Sequence, residues 1–82
     1  FGADNENVAV AKISLARVLA GQRRAAEAEP LFREGYAVLL KSRGADAQRT
    51  VQTRTWITEF YREFGKEAEA QQLFAGAEAA RP

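Results

Sequence analysis

A segment that occurs twice dictates what this chain can become. Ala26-Glu27-Ala28-Glu29-Pro30-Leu31-Phe32 recurs as Ala68-Glu69-Ala70-Gln71-Gln72-Leu73-Phe74, an offset of 42 residues from Ala28 to Ala70 and from Phe32 to Phe74. The same offset relates Leu15 to Ile57, Leu19 to Tyr61, and Gly2-Ala3-Asp4 to Gly44-Ala45-Asp46. Self-similarity at a fixed period outranks any single motif, because it imposes one supersecondary unit used twice.

The period is helical. Helix one is expected over about residues 6–20, where Val8, Ala11, Leu15, Val18 and Leu19 form one apolar stripe at 3–4 residue spacing. Gly21-Gln22-Arg23 breaks it. Helix two is expected over about 24–42, burying Ala28, Leu31, Phe32, Gly35, Tyr36 and Leu39. Pro30 is awkward near its start, since it has no N–H and crowds the carbonyl four residues back. Gly35 costs roughly 1 kcal/mol against Ala in a helix interior, which the close approach of a neighbouring helix would explain. Gly44 suits a helix C-cap and Asp46 the next N-cap.

Helix three is expected over about 47–64, with a wide apolar face from Val51, Trp56, Ile57, Phe60, Tyr61 and Phe64. Gly65 ends it. Helix four is expected over about 66–80, burying Ala70, Leu73, Phe74 and Ala77, and Pro82 blocks its continuation. β-branched residues cluster over Thr50–Thr58, a weak strand alternative set aside because the apolar spacing there is helical. The fold class is therefore all-α: two helix-turn-helix repeats, about 1–42 and 43–82, in one small domain. Ala28 and Ala70 are expected at the tightest contacts.

These residues resemble tetratricopeptide repeats. Leu15-Ala16-x-x-Leu19 followed by Ala28-x-x-x-Phe32, and Ile57-Thr58-x-x-Tyr61 followed by Ala70-x-x-x-Phe74, match the family's spacing. The 42-residue period and the Gly-x-Asp connectors are similar to the kinesin-light-chain-like variant, and the resemblance covers nearly all of the chain. Departures from it are specific. Ile13-Ser14 and Thr55-Trp56 stand where that variant carries paired asparagines, Lys12 and Arg54 stand where a buried apolar residue is common, and Thr58 replaces the small residue. The resemblance implies four antiparallel helices stacked as a short α-solenoid that serves as a protein–protein interaction scaffold. It implies a concave face bearing Val10, Ile13, Arg17, Gln52, Thr55, Glu59 and Arg62. Of these, Ile13, Arg17, Thr55, Glu59 and Arg62 are the candidate contacts for a protein or peptide partner of mixed charge. The alternative is a purely structural terminal part of a longer repeat array.

Composition excludes other classes. The 82 residues contain no Cys and no His, and the formal charge is +1. Thiolate and imidazole nucleophiles, most zinc sites and any disulfide framework are thereby removed. Glu27 with Glu29, and Glu67 with Glu69, are paired carboxylates two residues apart, which do not face each other on a helix. They read as solvated charges favouring the helix N-terminal dipole. No nucleophile–base set, phosphate loop or metal spacing is present, so no enzymatic activity, cofactor or metal is expected. Arg23, Arg24, Arg43, Arg49, Arg54 and Arg62 are interleaved with Glu59, Glu63 and Glu67, a pattern of salt-bridged surface. Nucleic acid is the least favoured partner class. No apolar run approaches the ~20 residues of a membrane span, and no signal peptide is visible, so a cytoplasmic protein without membrane contact is expected. The chain opens on Phe1 rather than Met, which suggests an excised or processed fragment.

One asymmetry between the repeats points to association. Trp56, Phe60 and Phe64 lie four apart on helix three, whereas their counterparts 42 residues earlier are Ser14, Val18 and Gln22. The aromatic ridge is expected to exceed what one partner helix covers, leaving Trp56, Phe60 and Phe64 for a following repeat or for homo-oligomer formation.

Overall fold

The computed structural model describes residues 6–79, with side chains through residue 77. Those residues form four helices and no strand: α1 (Glu6–Gly21), α2 (Ala25–Arg43), α3 (Gln48–Glu63) and α4 (Glu67–Ala79). The opening connector, Gly2-Ala3-Asp4, and Pro82 lie outside the described residues. Each connection is three or four residues long, so consecutive helices fold back on one another.

The two turns inside the repeats are copies of each other. At the end of α1 the Arg24 N–H donates to the Leu19 carbonyl at 2.9 Å and the Arg23 N–H to the Ala20 carbonyl at 3.0 Å. At the end of α3 the Lys66 N–H donates to Tyr61 at 2.7 Å and the Gly65 N–H to Arg62 at 3.1 Å. All four bonds are the Schellman pattern, and they are related by the same 42-residue offset. The pattern requires a left-handed residue after each helix. Gly65 supplies it at φ 71°, and Arg23 supplies it at φ 64° despite carrying a side chain.

Between the repeats, Gly44 caps α2. Its φ of 90° and ψ of 165° lie in a region open essentially to glycine, and its N–H reaches the Leu40 carbonyl at 3.0 Å. The N-cap of α3 is Ala47, with no side-chain cap bond, and Asp46 stands one residue early in the connector. Asp46 thus does not fill the capping role expected of it.

The extensive pairing in the molecule is α1 on α2; α3 lies against α2 and α4 to a similar extent. Gly35 is the reason for the first. A Cβ placed there would stand 2.5 Å from Ile13 Cδ1, 2.7 Å from Ile13 Cγ1 and 3.0 Å from the Ala9 carbonyl oxygen. Only a glycine lets the α1 backbone come this close. The approach turns Ala9, Ile13 and Ala16 inward, where they are buried. Most of the stripe expected from the sequence faces the other way: Val8 is 37% exposed, Leu15 50% and Val18 56%, while Leu19 packs against the core. The missing side chain of Gly35 makes room for Ile13, and the alanines on either side of it let the two helices close.

The core then runs through α2 and α3. Phe32, Tyr36, Leu39 and Leu40 pack with Ile57, Phe60 and Tyr61, and α4 adds Ala70 and Phe74. Ala28 and Ala70 are both buried, as their repeat positions suggest. Phe60 sits 5.0 Å from Phe32, and Tyr36 meets Phe74 edge-on at 5.3 Å. Such pairs add about 0.5–1.5 kcal/mol beyond area burial. Pro30 is accommodated inside α2 without ending it. Both Pro30 and Ala26, whose carbonyl loses its helical donor, are exposed, so water meets that carbonyl.

Replacing Gly35 by Ala tests the close approach. Overpacking costs about 1–3 kcal/mol, and the better helix former returns about 1 kcal/mol. Gly35→Ala is expected to destabilise by up to about 2 kcal/mol in urea unfolding, with Ile13→Val restoring part of the loss. A stabilised Gly35→Ala would show that the helices do not press on each other there.

Candidate functional site

The site forms where α1 and α3 run side by side over the core. Val10, Ile13 and Ser14 from α1 face Arg49, Gln52, Thr53 and Trp56 from α3 across a hollow of about 60 Å³ floored by Leu39. Thr53 is buried, and its hydroxyl donates to the Arg49 carbonyl at 2.8 Å. Thr55 and Thr58 do the same to Val51 and Arg54, at 3.2 and 2.9 Å. These back-bonds satisfy the hydroxyls within the helix and make the threonine-rich stretch compatible with α3.

Arginine planes close the aromatic side of the site. The Arg17 guanidinium lies 3.9 Å over the Trp56 ring, and that of Arg23 lies 4.6 Å over Phe64 while donating to Glu63 at 2.8 Å. Arg54 covers Phe74 at 4.5 Å, and Lys12 pairs with Glu34 at 3.3 Å. The two cations that stand at customarily apolar positions thus reach partners on neighbouring helices, Lys12 on α2 and Arg54 on α4. Cation–π contacts at exposed sites contribute about 0.5–1 kcal/mol each.

The structure gathers some of the expected contact residues and separates others. Val10, Ile13 and Gln52 line the hollow, Ile13 as a buried wall rather than an accessible contact. Arg17 stands at its edge, engaged with Trp56. Thr55, Glu59 and Arg62 are exposed but do not line it; Arg62 lies 4.0 Å from the Glu67 carboxylate. They form a separate row on α3. The aromatic ridge requires a correction. Phe60 is only 4% exposed, held among Phe32, Tyr61 and Phe64, so it offers no docking surface. Trp56 and Phe64 are half-buried. Phe60 is thus withdrawn into the core, while Trp56 and Phe64 lie under the Arg17 and Arg23 guanidinium groups.

A second cluster was not legible beforehand. Glu29, Arg33 and Tyr61 meet beside Glu69, Gln72 and Leu73 around an open depression of about 340 Å³. Arg33 donates to Glu29 at 3.1 Å, and the Tyr61 phenol faces the same carboxylate across the depression. Glu29 is therefore a bridge from α2 to α3 rather than a solvated helix-start charge. Burial, then the Glu29 carboxylate and its charge, push the Tyr61 phenol up to about 12, against the counteracting Arg33.

Elsewhere the charges pair off. Arg24 pairs with Glu27, Arg43 binds both Glu6 carboxylate oxygens at 2.9 Å, and Lys66 lies 4.0 Å from Glu69. The Glu6 contact raises the Arg43 guanidinium further above its usual range. Among the described residues no group of three or more acidic side chains could hold a metal ion, and no helix is long and apolar enough to cross a membrane. Comparison with protein-family models, curated proteins and solved structures returns no match to this chain.

The Tyr61 contact makes a pH prediction. A phenol whose proton is held more tightly in the folded state stabilises the fold fully below its unfolded pKa of about 10. That contribution is lost as pH rises from there through about 12. Absorbance titration is expected to show one tyrosine ionising near the upper limit, missing in Tyr61→Phe and shifted down in Glu29→Gln. An unshifted Glu29→Gln profile would remove Glu29 as a cause.

Proposed function

We propose that this chain is a tetratricopeptide-like protein–protein interaction module whose two hairpins stack as a short α-solenoid, and that a partner segment binds along the groove between α1 and α3. The observation that carries it is the groove: Trp56 fixed by Arg17, beside the rim side chains of Arg49, Gln52 and Ser14. Support for the stack comes from the order of contacts. α1 touches α2 and α3, while α1 and α4 do not meet among the described residues. A closed four-helix bundle would bring its first and last helices together; an open layer of hairpins keeps them apart.

The hollow of about 60 Å³ is far below the ~300–1,000 Å³ of small-molecule sites. It suits one small apolar side chain of a protein partner, with Gln52 and Arg49 offering donors to that partner's carbonyl or carboxylate groups. Trp and Arg are the residue types that carry binding energy at protein interfaces. Catalysis has no place in this reading, nor has a cofactor. A second reading, a structural end of a longer array, is favoured by the exposed Val8–Leu15–Val18 stripe of α1.

Panning a displayed peptide library against the chain tests the groove. Selected peptides are expected to lose at least tenfold in affinity with Trp56→Ala or Gln52→Ala, about 1.4 kcal/mol or more. Amide shifts on peptide addition should centre on residues 10–17 and 49–56. Peptides that bind Trp56→Ala as well as the parent, or that shift only Thr55, Glu59 and Arg62, would move the site off this groove.

A further inference from the structure

α1 is apolar on two sides. Ala9, Ile13 and Ala16 face α2, and Val8, Ala11, Leu15 and Val18 form a second stripe on solvent at i, i+3, i+7 and i+10. Only Glu6, Lys12 and Arg17 in this 16-residue helix are charged, and none interrupts that stripe. A helix apolar on opposite faces belongs between two layers, and here one layer is missing.

The internal repeat says what the missing layer is. Adding 42 to the stripe gives Thr50, Thr53, Ile57 and Phe60 on α3, and all four are buried. What covers them is chiefly α2, the second helix of the preceding unit: Phe32 packs on Phe60 at 5.0 Å, and the Thr50 hydroxyl makes a long bond to the Leu39 carbonyl at 3.5 Å. The stripe of α1 is therefore the same surface as the covered face of α3, without its cover. The connector repeats as well. Gly44-Ala45-Asp46 leads out of α2, capped on Leu40, and into α3. Its sequence copy, Gly2-Ala3-Asp4, stands directly ahead of α1.

We propose that the outer face of α1 is the seat of an α2-like helix from a further hairpin of the same repeat, joined ahead of α1 in the chain. The seat rests on the repeat architecture and not on the α1/α3 groove. A second copy of this chain fits it less well. α4, the counterpart of α2, exposes no large apolar side chain among its described residues, so copies cannot continue the stack head to tail. Face-to-face pairing of a four-residue stripe falls short of the ~20–30 residues a side of a stable interface. A covalently joined hairpin needs no such area, because its effective concentration is millimolar or higher.

The experiment fuses a second copy of residues 1–42 in front of the 82-residue chain as the probe. The extended chain is expected to unfold in one transition at a higher temperature than the parent. Leu15→Glu with Val18→Glu in the inner unit should abolish that gain while leaving the melting of the 82-residue chain unchanged. Because the chain has no cysteine, Val18→Cys gives an independent reading: its thiol should react at least tenfold more slowly in the extended chain. Equal labelling rates, two separate transitions, or a gain insensitive to the two glutamates would overturn the proposal. So would a concentration-dependent dimer of the 82-residue chain that Val18→Glu dissolves, since that would seat a second copy there.

Discussion

The contact of Ile13 and the Ala9 carbonyl with the bare Cα of Gly35 sets the orientation of everything else. With no Cβ in the way, α1 settles on α2 through Ala9, Ile13 and Ala16. Rotational position on a helix is indivisible: once these residues face inward, Val8, Leu15 and Val18 face outward. The same rotation puts Val10, Ser14 and Arg17 beside α3, where they build one wall of the groove and reach over Trp56. A single absent methyl group thus decides which side of α1 is core, which is groove and which is left apolar on solvent.

The second hairpin is held to the first by a different device. Arg23 occupies a left-handed position that its counterpart Gly65 takes without strain, at a cost of roughly 1–2 kcal/mol for a residue with a Cβ. The gain lies across the repeat boundary. From that position the guanidinium covers Phe64 and bonds Glu63, both at the corresponding turn one unit later. Arg17 and Trp56 form a similar pair between α1 and α3. Guanidinium groups suit this work because they stack on aromatic faces and remain weakly hydrated at the rim. Since the repeat counterparts of Arg17 and Arg23 are Glu59 and Gly65, the second unit does not present the same clamp.

Much of the helix order was legible, because period and punctuation agree: each boundary between consecutive helices falls within a residue of its expected place, and the 42-residue repeat reappears bond for bond in the Schellman turns. Gly35 was also readable, since a costly glycine inside a helix implies a close neighbour. The failures share a cause. Counting large apolar residues assigned Val8, Leu15 and Val18 to the core, but the bare Cα of Gly35 seats Ile13 and turns the Ala9–Ile13–Ala16 face inward instead. Phe60 left the expected exposed ridge because Phe32 of α2 packs on it, a contact across helices that spacing within α3 does not show. Glu29 was read as a helix-start charge because its partners, Tyr61 and Arg33, lie 32 residues away and one turn away, and only packing brings the first within reach. Asp46 missed its cap because the helix begins one residue later than the chemistry of Asp would favour.

The repeat is more faithful in its turns than in its packing, and that difference bears on function. α1 spends its small face on α2. The corresponding residues of α3 are Val51, Thr55 and Thr58; Val51 and Thr55 are left on solvent, while Thr50, Thr53, Ile57 and Phe60 are buried. Two identical hairpins packed identically would present two equivalent helices to the groove. Equivalent positions line the groove but carry unequal side chains: Val10 and Ser14 on α1 correspond, at the 42-residue offset, to Gln52 and Trp56 on α3, and α3 adds Arg49. A groove with one smooth wall and one chemically rich wall can fix both the position and the direction of a segment lying in it, which two equivalent walls could not do.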